Sequence, residues 1–277
     1  MMNEGTLRAD IVEIGRRMYA RGYTASNDGN ISARLDSARV LMTPKGVCKG
    51  FMTPDMMCIT DLDGRKLQCD RDPSSEILMH LEVYRQRADV AAVVHAHPPT
   101  ATGFAVAGIP LDRAVLAEVL TTLGSIPIAA YATPSTSELP EAVRRYITAH
   151  DGMLLANHGA LTVGSDLYAA YFKMETIEHF AKISLVARLL GRENLITREE
   201  VLRLQGLRDT YGVKAPAPIC AVDETEQDPA SCQVVQAPSS PGSRLVPSAD
   251  AASEEIRLTY RQLTELIEDA IRTLNNS

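Results

Sequence analysis

The sequence DVAAVVHAHP, residues 89–98, carries the clearest structural signal, because a short apolar run leads directly into two histidines. The run at residues 89–94 predicts a buried strand. His95 and His97 are two residues apart, so in an extended chain both side chains lie on the same face. Two imidazoles at this spacing can bind one metal ion, and sites of α/β proteins commonly lie where strands end. Taken alone, the pair also fits two partly buried histidines without a ligand.

A third histidine, His158, follows a second apolar run at residues 153–156, which also predicts a buried strand. Three neutral imidazoles with an open position form the pattern of a catalytic zinc site, whereas structural zinc sites are closed by four protein ligands. The three histidines therefore predict a divalent-metal centre, with Zn²⁺ as the expected ion.

Helical and strand patterns alternate along the part of the chain that carries these histidines. Apolar residues recur at helical spacing near residues 7–18, 78–84 and 166–190, and short strand-like runs lie between them. Residues 113–123 also predict a helix, and residues 126–131 predict a strand. An Asp-Gly pair at residues 63–64 separates two of these runs and predicts a hairpin. The pattern predicts one α/β body at residues 1–212.

Composition argues against several classes of function. The net charge of −7 at pH 7 disfavours a nucleic-acid surface, because phosphate backbones bind clustered positive charge. No apolar run of 18 residues occurs, so we expect no transmembrane helix. The N-terminal sequence MMNEGTLRAD predicts no secretory signal. Five cysteines without a CxxC pair predict free thiols rather than disulfides, in a reducing cytoplasm.

Glu76 follows two serines at a predicted helix start, and only its combination with the three histidines makes it a candidate base. Backbone N–H groups and hydroxyls at a helix N-terminus can bind a phosphate, although ordinary helix capping also explains this pattern. Two further polar turns, SNDGN at 26–30 and TPKG at 43–46, could approach an anion or could be ordinary loops. His80 lies one helical turn after Glu76 and could contact it from behind the site, but a core or surface role is favoured.

The chain changes character after residue 212. Residues 213–255 are rich in Pro, Ser, Ala and acidic residues, which predicts a disordered linker. Apolar residues then recur on one helical stripe, so residues 256–275 predict an amphipathic helix. This tail resembles the encapsulation peptides that load enzymes into bacterial microcompartments. A helix that packs on its own body or stabilises an oligomer is the alternative.

Six motifs in order resemble the class II aldolase/adducin family. They are GNIS at 29–32, TPKG at 43–46, PSSE at 73–76, VVHAHP at 93–98, IPIAAYATPST at 126–136 and ANHGAL at 156–161. The resemblance implies a three-layer αβα fold with a largely antiparallel central sheet. It also implies a homotetramer with active sites between subunits.

The resemblance also implies roles for individual residues. Zinc is implied on His95, His97 and His158, with Glu76 as the catalytic acid or base. Tyr211 matches a C-terminal tyrosine that reaches toward a neighbouring subunit's site. The residues implied to bind the substrate phosphate are Asn30, Lys45, Gly46, Ser74 and Ser75.

The implied activity is cleavage of a ketose 1-phosphate of the L-fuculose or L-rhamnulose type to dihydroxyacetone phosphate and lactaldehyde. Two departures from the pattern bear on this activity: Lys45 replaces a threonine, and no tyrosine occurs from 110 to 130 to serve the aldehyde oxygen. A sugar-phosphate dehydratase of the methylthioribulose-phosphate type, an epimerase and a non-enzymatic adducin-like module are the alternatives. The expected location is the cytoplasm or, through a shell protein bound by the tail, the interior of a microcompartment.

Overall fold

A computed structural model describes residues 3–211, 213–216, 218–220 and 232–235. Eight strands form one sheet within these residues. They are β1 (Asn30–Arg34), β2 (Arg39–Met42), β3 (Cys58–Asp61), β4 (Lys66–Gln68), β5 (Ala92–Ala96), β6 (Ile128–Ala129), β7 (Gly152–Leu155) and β8 (Gly159–Gly164). Their spatial order is β4-β3-β2-β1-β5-β8-β7-β6. Neighbouring strands are antiparallel, except that β6 and β7 are parallel.

Helices cover both faces of this sheet. They are α1 (Glu4–Ala20), α2 (Ile77–Gln86), α3 (Pro99–Ala107), α4 (Ala117–Thr122), α5 (Glu138–Ile147), α6 (Leu167–Leu189) and α7 (Arg198–Gln205). One apolar cluster joins the sheet to α1, α3, α4 and α6, and a second joins the opposite face to α2 and α5. The expectation of a three-layer αβα fold with a largely antiparallel sheet is confirmed. Among the described helices, none has the length and apolar character needed to cross a bilayer.

β5 is buried along its whole length and distributes its side chains between the two clusters. Val94 and Ala96 belong to the cluster that contains α6, whereas Val93 belongs to the cluster that contains α2. Burying a valine side chain contributes about 1.5–3 kcal/mol. Because alternate residues share a face, this apolar alternation places His95 on the α2 side.

Residues near 113 depart from the predicted helix over 113–123, which is confined to α4. The backbone N–H of Ala114 donates to Val234 O at 2.8 Å, and the N–H of Ile196 donates to Ala114 O at 2.7 Å. Long-range backbone bonds therefore hold Ala114 extended and override its helical propensity. The predicted strand at 126–131 is likewise reduced to β6.

Part of the predicted disordered linker is ordered. The N–H of Val234 donates to Asp112 O at 2.9 Å, and Ile219 and Gln233 form a β-bridge. Val235 packs beside α7. Residues 232–235 of the predicted linker thus make backbone hydrogen bonds and a β-bridge with other described residues, while the linker over 213–255 as a whole stays a prediction. The predicted amphipathic helix at 256–275 lies outside the described residues.

Two disulfides contradict the expectation of free thiols. Cys58 is bonded to Cys69, and Cys220 is bonded to Cys232, whereas Cys48 is a free thiol. The β3–β4 hairpin brings the first pair together, and the bridge beside Cys220 brings the second pair together. Spacing alone could not reveal these partners, so cysteine usage gives no support to a reducing compartment.

Gly164 offers a test of the packing between β8 and α6. A Cβ at this position would lie 2.4 Å from the backbone nitrogen of Ala170. We expect Gly164→Ala to lower the free energy of unfolding by about 1–3 kcal/mol, since the backbone must shift to make room. Urea unfolding followed by circular dichroism measures this change.

Gly103 in α3 is the matched control, because a Cβ there meets nothing within 4 Å. Gly103→Ala should leave stability unchanged or raise it by up to about 1 kcal/mol, as alanine is the better helix former. Equal destabilisation by both substitutions would contradict the close β8–α6 contact.

Candidate metal centre

The pairing of β1 with β5 places the first two histidines. Asn30 lies opposite His95 in the antiparallel register, so their side chains share the face covered by α2. His95 is fully buried. His97 follows directly after β5, and its backbone N–H donates to Tyr23 O at 2.8 Å. Both imidazoles thus lie at the C-terminal end of β5, an interior strand of the sheet.

The turn between β7 and β8 supplies the third histidine, His158. Asn157 has a left-handed backbone with φ of 55°, a conformation that asparagine tolerates better than most residues. Gly159 begins β8 against the end of β5, and a Cβ there would lie 2.5 Å from both Ala96 O and the His97 ring. Glycine therefore permits the close approach that carries His158 to the other two rings.

The three histidines form one cluster. One nitrogen from each ring lies within 4.8 Å of the other two. The ring centroids are separated by 4.9 Å for His95 and His97, by 4.8 Å for His95 and His158, and by 5.1 Å for His97 and His158. His95 and His97 come from the end of β5 and His158 from the turn between β7 and β8, and the structure brings their rings together.

The hydrogen bonds of the imidazoles fit a cation. His95 Nδ1 donates to Ala160 O at 2.9 Å, and His97 Nδ1 donates to the Asp28 carboxylate at 3.0 Å. Both Nε2 atoms therefore carry lone pairs, yet they lie only 3.1 Å apart. The buried Nδ1 of His158 has no hydrogen-bond partner in the described part of the chain. Lone pairs that face one another are stabilised by a shared positive ion, so the donor set suits a divalent metal.

Burial keeps the ligand candidates in the form that binds metal. It lowers the pKa of His95 to about 3 and also lowers the pKa of His97, so both rings are neutral near pH 7. A neutral imidazole is the state that coordinates a metal.

Glu76 lies directly beside the histidines. Its Oε2 is 3.4 Å from His95 Nε2, and its Oε1 is 3.1 Å from His158 Nε2. Asn30 Nδ2 donates to Oε2 at 2.7 Å. Burial alone would raise the pKa of Glu76, but the adjacent His95 ring and the hydrogen bonds from His158 and Asn30 hold this pKa well below its usual value. The carboxyl is therefore an ionised, partly exposed base at the metal centre.

The two turns predicted to bind phosphate lie side by side. The N–H of Ser74 donates to Thr43 O at 3.2 Å, and the N–H of Lys45 donates to Asp72 O at 2.8 Å. These bonds join residues 43–46 to residues 73–76, next to the start of α2. The two turns and Glu76 thus occupy neighbouring positions in the fold.

The side chains of these turns differ in exposure. Ser74 is buried, and its Oγ accepts a hydrogen bond from the N–H of Glu76 at 3.3 Å. Lys45 and Ser75 are exposed. Gly46 has φ of +73°, which suits glycine and lets the backbone turn without a side chain. The exposed hydroxyl and ammonium are therefore free to meet an anion.

The Asn30 side chain is directed differently from the expectation that it binds phosphate. Its amide nitrogen donates to Glu76, and its Oδ1 accepts from His80 Nε2. His80 is fully buried on α2. Asn30 therefore contacts Glu76 directly and His80 reaches Glu76 through Asn30, whereas sequence reasoning favoured a core or surface role for His80.

Two further residues near the site were missed by sequence reasoning. Asp28 holds His97, a residue 69 positions away in the chain. The Lys49 ammonium donates to Asn27 O at 3.1 Å and to Val47 O at 2.8 Å, which ties the turn at 26–30 to the loop after residue 46. Asp28 lies inside the SNDGN turn, but no local pattern pairs it with a histidine.

Tyr211 ends a short 3₁₀ turn that begins at Arg208. Its side chain lies outside the described part of the structure, so its predicted role stays a prediction. Taken together, the described groups offer a cluster of three histidines that could hold a metal ion, an ionised carboxylate and two polar turns. This combination can stabilise negative charge on a bound phosphate ester while a proton is moved at an adjacent carbon.

The family model of the class II aldolase and adducin N-terminal domain matches residues 9–185 of this chain. A 3-oxo-tetronate 4-phosphate decarboxylase from Pectobacterium atrosepticum is 30% identical over 190 residues, which cover 67% of this chain and 87% of the relative. A 5-deoxy-D-ribulose 1-phosphate aldolase from Bacillus thuringiensis serovar kurstaki is 32% identical over 206 residues, which cover 74% and 96% of the two chains. The solved structure of an L-fuculose 1-phosphate aldolase superposes with a TM-score of 0.69 at 27% identity, and the match covers 75% of this chain and 97% of that one.

Removing the acceptor for His97 tests the metal centre. In Asp28→Ala the His97 ring loses the partner that sets its orientation and tautomer, so we expect metal affinity to fall roughly 10- to 100-fold. His95→Ala should abolish zinc binding under the same conditions. Elemental analysis after dialysis against graded zinc concentrations measures both effects.

Asp63→Ala, at an exposed carboxylate in the β3–β4 hairpin, is the matched control and should bind zinc as the unmodified protein does. Unchanged zinc affinity in Asp28→Ala would show that His97 does not depend on this carboxylate.

Proposed function

The chain belongs to the class II aldolase and adducin family, and its aldolase relatives identify it as a lyase. From this premise we propose that it cleaves a ketose 1-phosphate of the L-fuculose or L-rhamnulose type. The products are dihydroxyacetone phosphate and lactaldehyde. The observation that carries the proposal is the contact of ionised Glu76 with two imidazoles of the metal centre. The relatives that act on L-fuculose phosphate and on 5-deoxy-D-ribulose 1-phosphate support a ketose 1-phosphate as substrate.

His95, His97 and His158 hold the ion in this proposal, with Zn²⁺ as the expected metal. The ion supplies Lewis-acid stabilisation of the negative charge that develops on substrate oxygens as the carbon–carbon bond breaks. Asp28 and the carbonyl of Ala160 orient His97 and His95 for this role through their Nδ1 atoms.

The turns at 43–46 and 73–76 bind the phosphate group. The exposed Lys45 ammonium and Ser75 hydroxyl present donors beside the start of α2. Because the phosphate lies away from the bond that breaks, its binding energy can orient the reacting carbons. Lys45 replaces a threonine of the family pattern and adds a positive charge for the dianion.

Glu76 transfers the proton at the carbon that joins the two fragments. In the direction of bond formation its carboxylate accepts a proton from C3 of dihydroxyacetone phosphate, and in the direction of cleavage it returns that proton. Its ionised state and its position beside His158 suit this role. Tyr211 is proposed to serve the aldehyde end from a neighbouring subunit.

Decarboxylation of a 3-oxo acid 4-phosphate is a second candidate, and one observation favours it. Cleavage of a ketose 1-phosphate must remove the proton of the C4 hydroxyl, yet no tyrosine occurs from 110 to 130 to assist that step. Loss of CO₂ from 3-oxo-tetronate 4-phosphate leaves the same three-carbon anion and involves no such hydroxyl. In both reactions Glu76 takes up a proton from water and transfers it to this anion, which yields dihydroxyacetone phosphate. The decarboxylase relatives fit this chemistry.

Two further proposals concern the oligomeric state and the location of the protein. We propose a homotetramer. A contact between subunits would bury three exposed apolar residues on or beside α6, namely Phe172, Leu189 and Leu190. The tail helix at 256–275 is proposed to bind a microcompartment shell protein.

Glu76→Gln tests the proton transfer. The amide keeps the size of the side chain but cannot accept a proton, so we expect turnover to fall about 10²- to 10⁴-fold while zinc content is retained. Release of dihydroxyacetone phosphate, coupled to its enzymatic reduction, measures turnover. Glu141→Gln, an exposed change on α5, is the matched control. Near-normal turnover in Glu76→Gln would remove this residue from the chemistry.

A product panel separates the candidate reactions. The zinc form is incubated with L-fuculose 1-phosphate, L-rhamnulose 1-phosphate, 5-deoxy-D-ribulose 1-phosphate and 3-oxo-tetronate 4-phosphate. Cleavage of the ketoses releases dihydroxyacetone phosphate and one equivalent of aldehyde, which we expect, whereas the second candidate releases CO₂ from the last compound alone. Water loss without dihydroxyacetone phosphate would instead identify a dehydratase.

A further inference from the structure

A row of buried polar side chains runs inward from Glu76 between α2 and β1. Glu76, His80 and Tyr84 are four residues apart at the start of α2 and within it, so they lie on one face of the helix. Asn30 and Ser32 are two residues apart on β1, so they lie on one face of the strand. These two faces meet, and the five side chains alternate between helix and strand.

The contacts in this row are continuous. The Tyr84 hydroxyl lies 2.7 Å from Ser32 Oγ, and Ser32 Oγ lies 2.7 Å from His80 Nδ1. His80 Nε2 contacts Asn30 Oδ1, and Asn30 Nδ2 lies 2.7 Å from Glu76 Oε2. Ser32 and His80 are fully buried, and Asn30 is 3% exposed. The row therefore meets solvent only at Glu76, in the site.

The contact of Asn30 Nδ2 with the Glu76 carboxylate sets the direction of every hydrogen bond in this row. A carboxylate only accepts, so Asn30 must turn its NH₂ group toward Glu76 and its Oδ1 toward His80. His80 must then donate from Nε2 and accept at Nδ1 from the Ser32 hydroxyl. Ser32 has a single proton, so Tyr84 donates to it. Burial lowers the pKa of His80 to about 4, which keeps the ring neutral, as this pattern requires.

The opposite donor–acceptor direction of these hydrogen bonds is unfavourable. With the proton of His80 on Nδ1, its Nε2 lone pair would face Asn30 Oδ1, and the amide would have to rotate. Asn30 would then place its oxygen against the Glu76 carboxylate in a buried setting, where two facing acceptors lose a hydrogen bond and repel one another. The tautomer of His80 therefore controls which group Asn30 presents to Glu76.

Arg34 anchors the far end of the row. Its guanidinium lies over the Tyr84 ring at 4.7 Å from the centroid, and Nη2 donates to Tyr84 O at 2.7 Å. These contacts fix the phenol that starts the chain of donors.

We propose that His80 is a positioning residue, which the Ser32 hydroxyl holds in its Nε2–H tautomer so that Asn30 keeps a donor on the Glu76 carboxylate. His80 does not touch substrate in this scheme; it acts through Asn30 on the orientation of the base. This inference deepens the proposed function and rests on it where turnover is concerned. The direction of the hydrogen bonds is independent of any substrate.

The tautomer is measured directly. In protein labelled with [¹⁵N]histidine, solid-state NMR distinguishes the Nε2–H, Nδ1–H and doubly protonated rings, and the signals of His80 are assigned by their loss in His80→Gln. We expect the Nε2–H form in the unmodified zinc protein. An Nδ1–H or doubly protonated His80 would overturn the proposal, even if the product panel finds no turnover and the proposed function fails.

Turnover of matched variants tests the consequence for Glu76. His80→Gln keeps an N–H that can donate to Asn30 and should retain most of kcat, whereas His80→Met lacks that donor and should lose roughly 10- to 100-fold in kcat with little change in KM or zinc content. Ser32→Ala, which frees Nδ1 to take the proton, should also lose kcat. Tyr84→Phe leaves the Ser32 hydroxyl as donor and should remain near normal.

Rescue by glutamine distinguishes positioning from general packing. Equal loss in His80→Gln and His80→Met would overturn the proposal, and so would normal kcat in His80→Met. If His80→Met does not fold, the comparison of Ser32→Ala with Tyr84→Phe decides in its place, and equal kcat in those two variants would also overturn it.

Discussion

Antiparallel pairing on both edges of β5 is the constraint on which the site depends. On one edge the pairing places Asn30 beside His95, and on the other it brings Gly159 against the strand end and carries His158 with it. A slip of one residue would turn His95 to the opposite face, where Val94 and Ala96 now pack in the apolar core. Burial of those two residues therefore determines where the imidazoles point.

The polar groups beneath the site are arranged to avoid an unpaired partner. Leaving a buried donor or acceptor without a hydrogen bond costs about 1–3 kcal/mol. His80 satisfies this requirement by bonding on both ring nitrogens, to Ser32 and Asn30. The bonds that stabilise the packing of α2 on β1 thus also orient the Glu76 carboxylate, so stability and the geometry of the base depend on the same contacts.

The chemistry of the two candidate reactions differs only at the leaving end of the substrate. Both leave the same three-carbon phosphate anion beside the metal centre, and both need a proton returned by Glu76. The departures from the family pattern concern the other parts of the substrate: Lys45 lies in a turn assigned to the phosphate, and the missing tyrosine concerns the leaving aldehyde. The proton transfer that both candidate reactions share and the two departures from the family pattern therefore concern separate parts of the proposed site.

The sequence by itself determined the positions of strands and helices near the site, because apolar periodicity is a local property of the chain. The three-layer αβα class followed from the resemblance of its motifs to a known family. It also indicated the three histidines and Glu76, since each stands at the end of a strand or the start of a helix. Only the tertiary structure decided the contact of Asp28 with His97, the disulfides and the ordered residues 232–235. These depend on pairings between distant segments, and the energy of such a pairing is set by burial and backbone geometry that no local pattern contains.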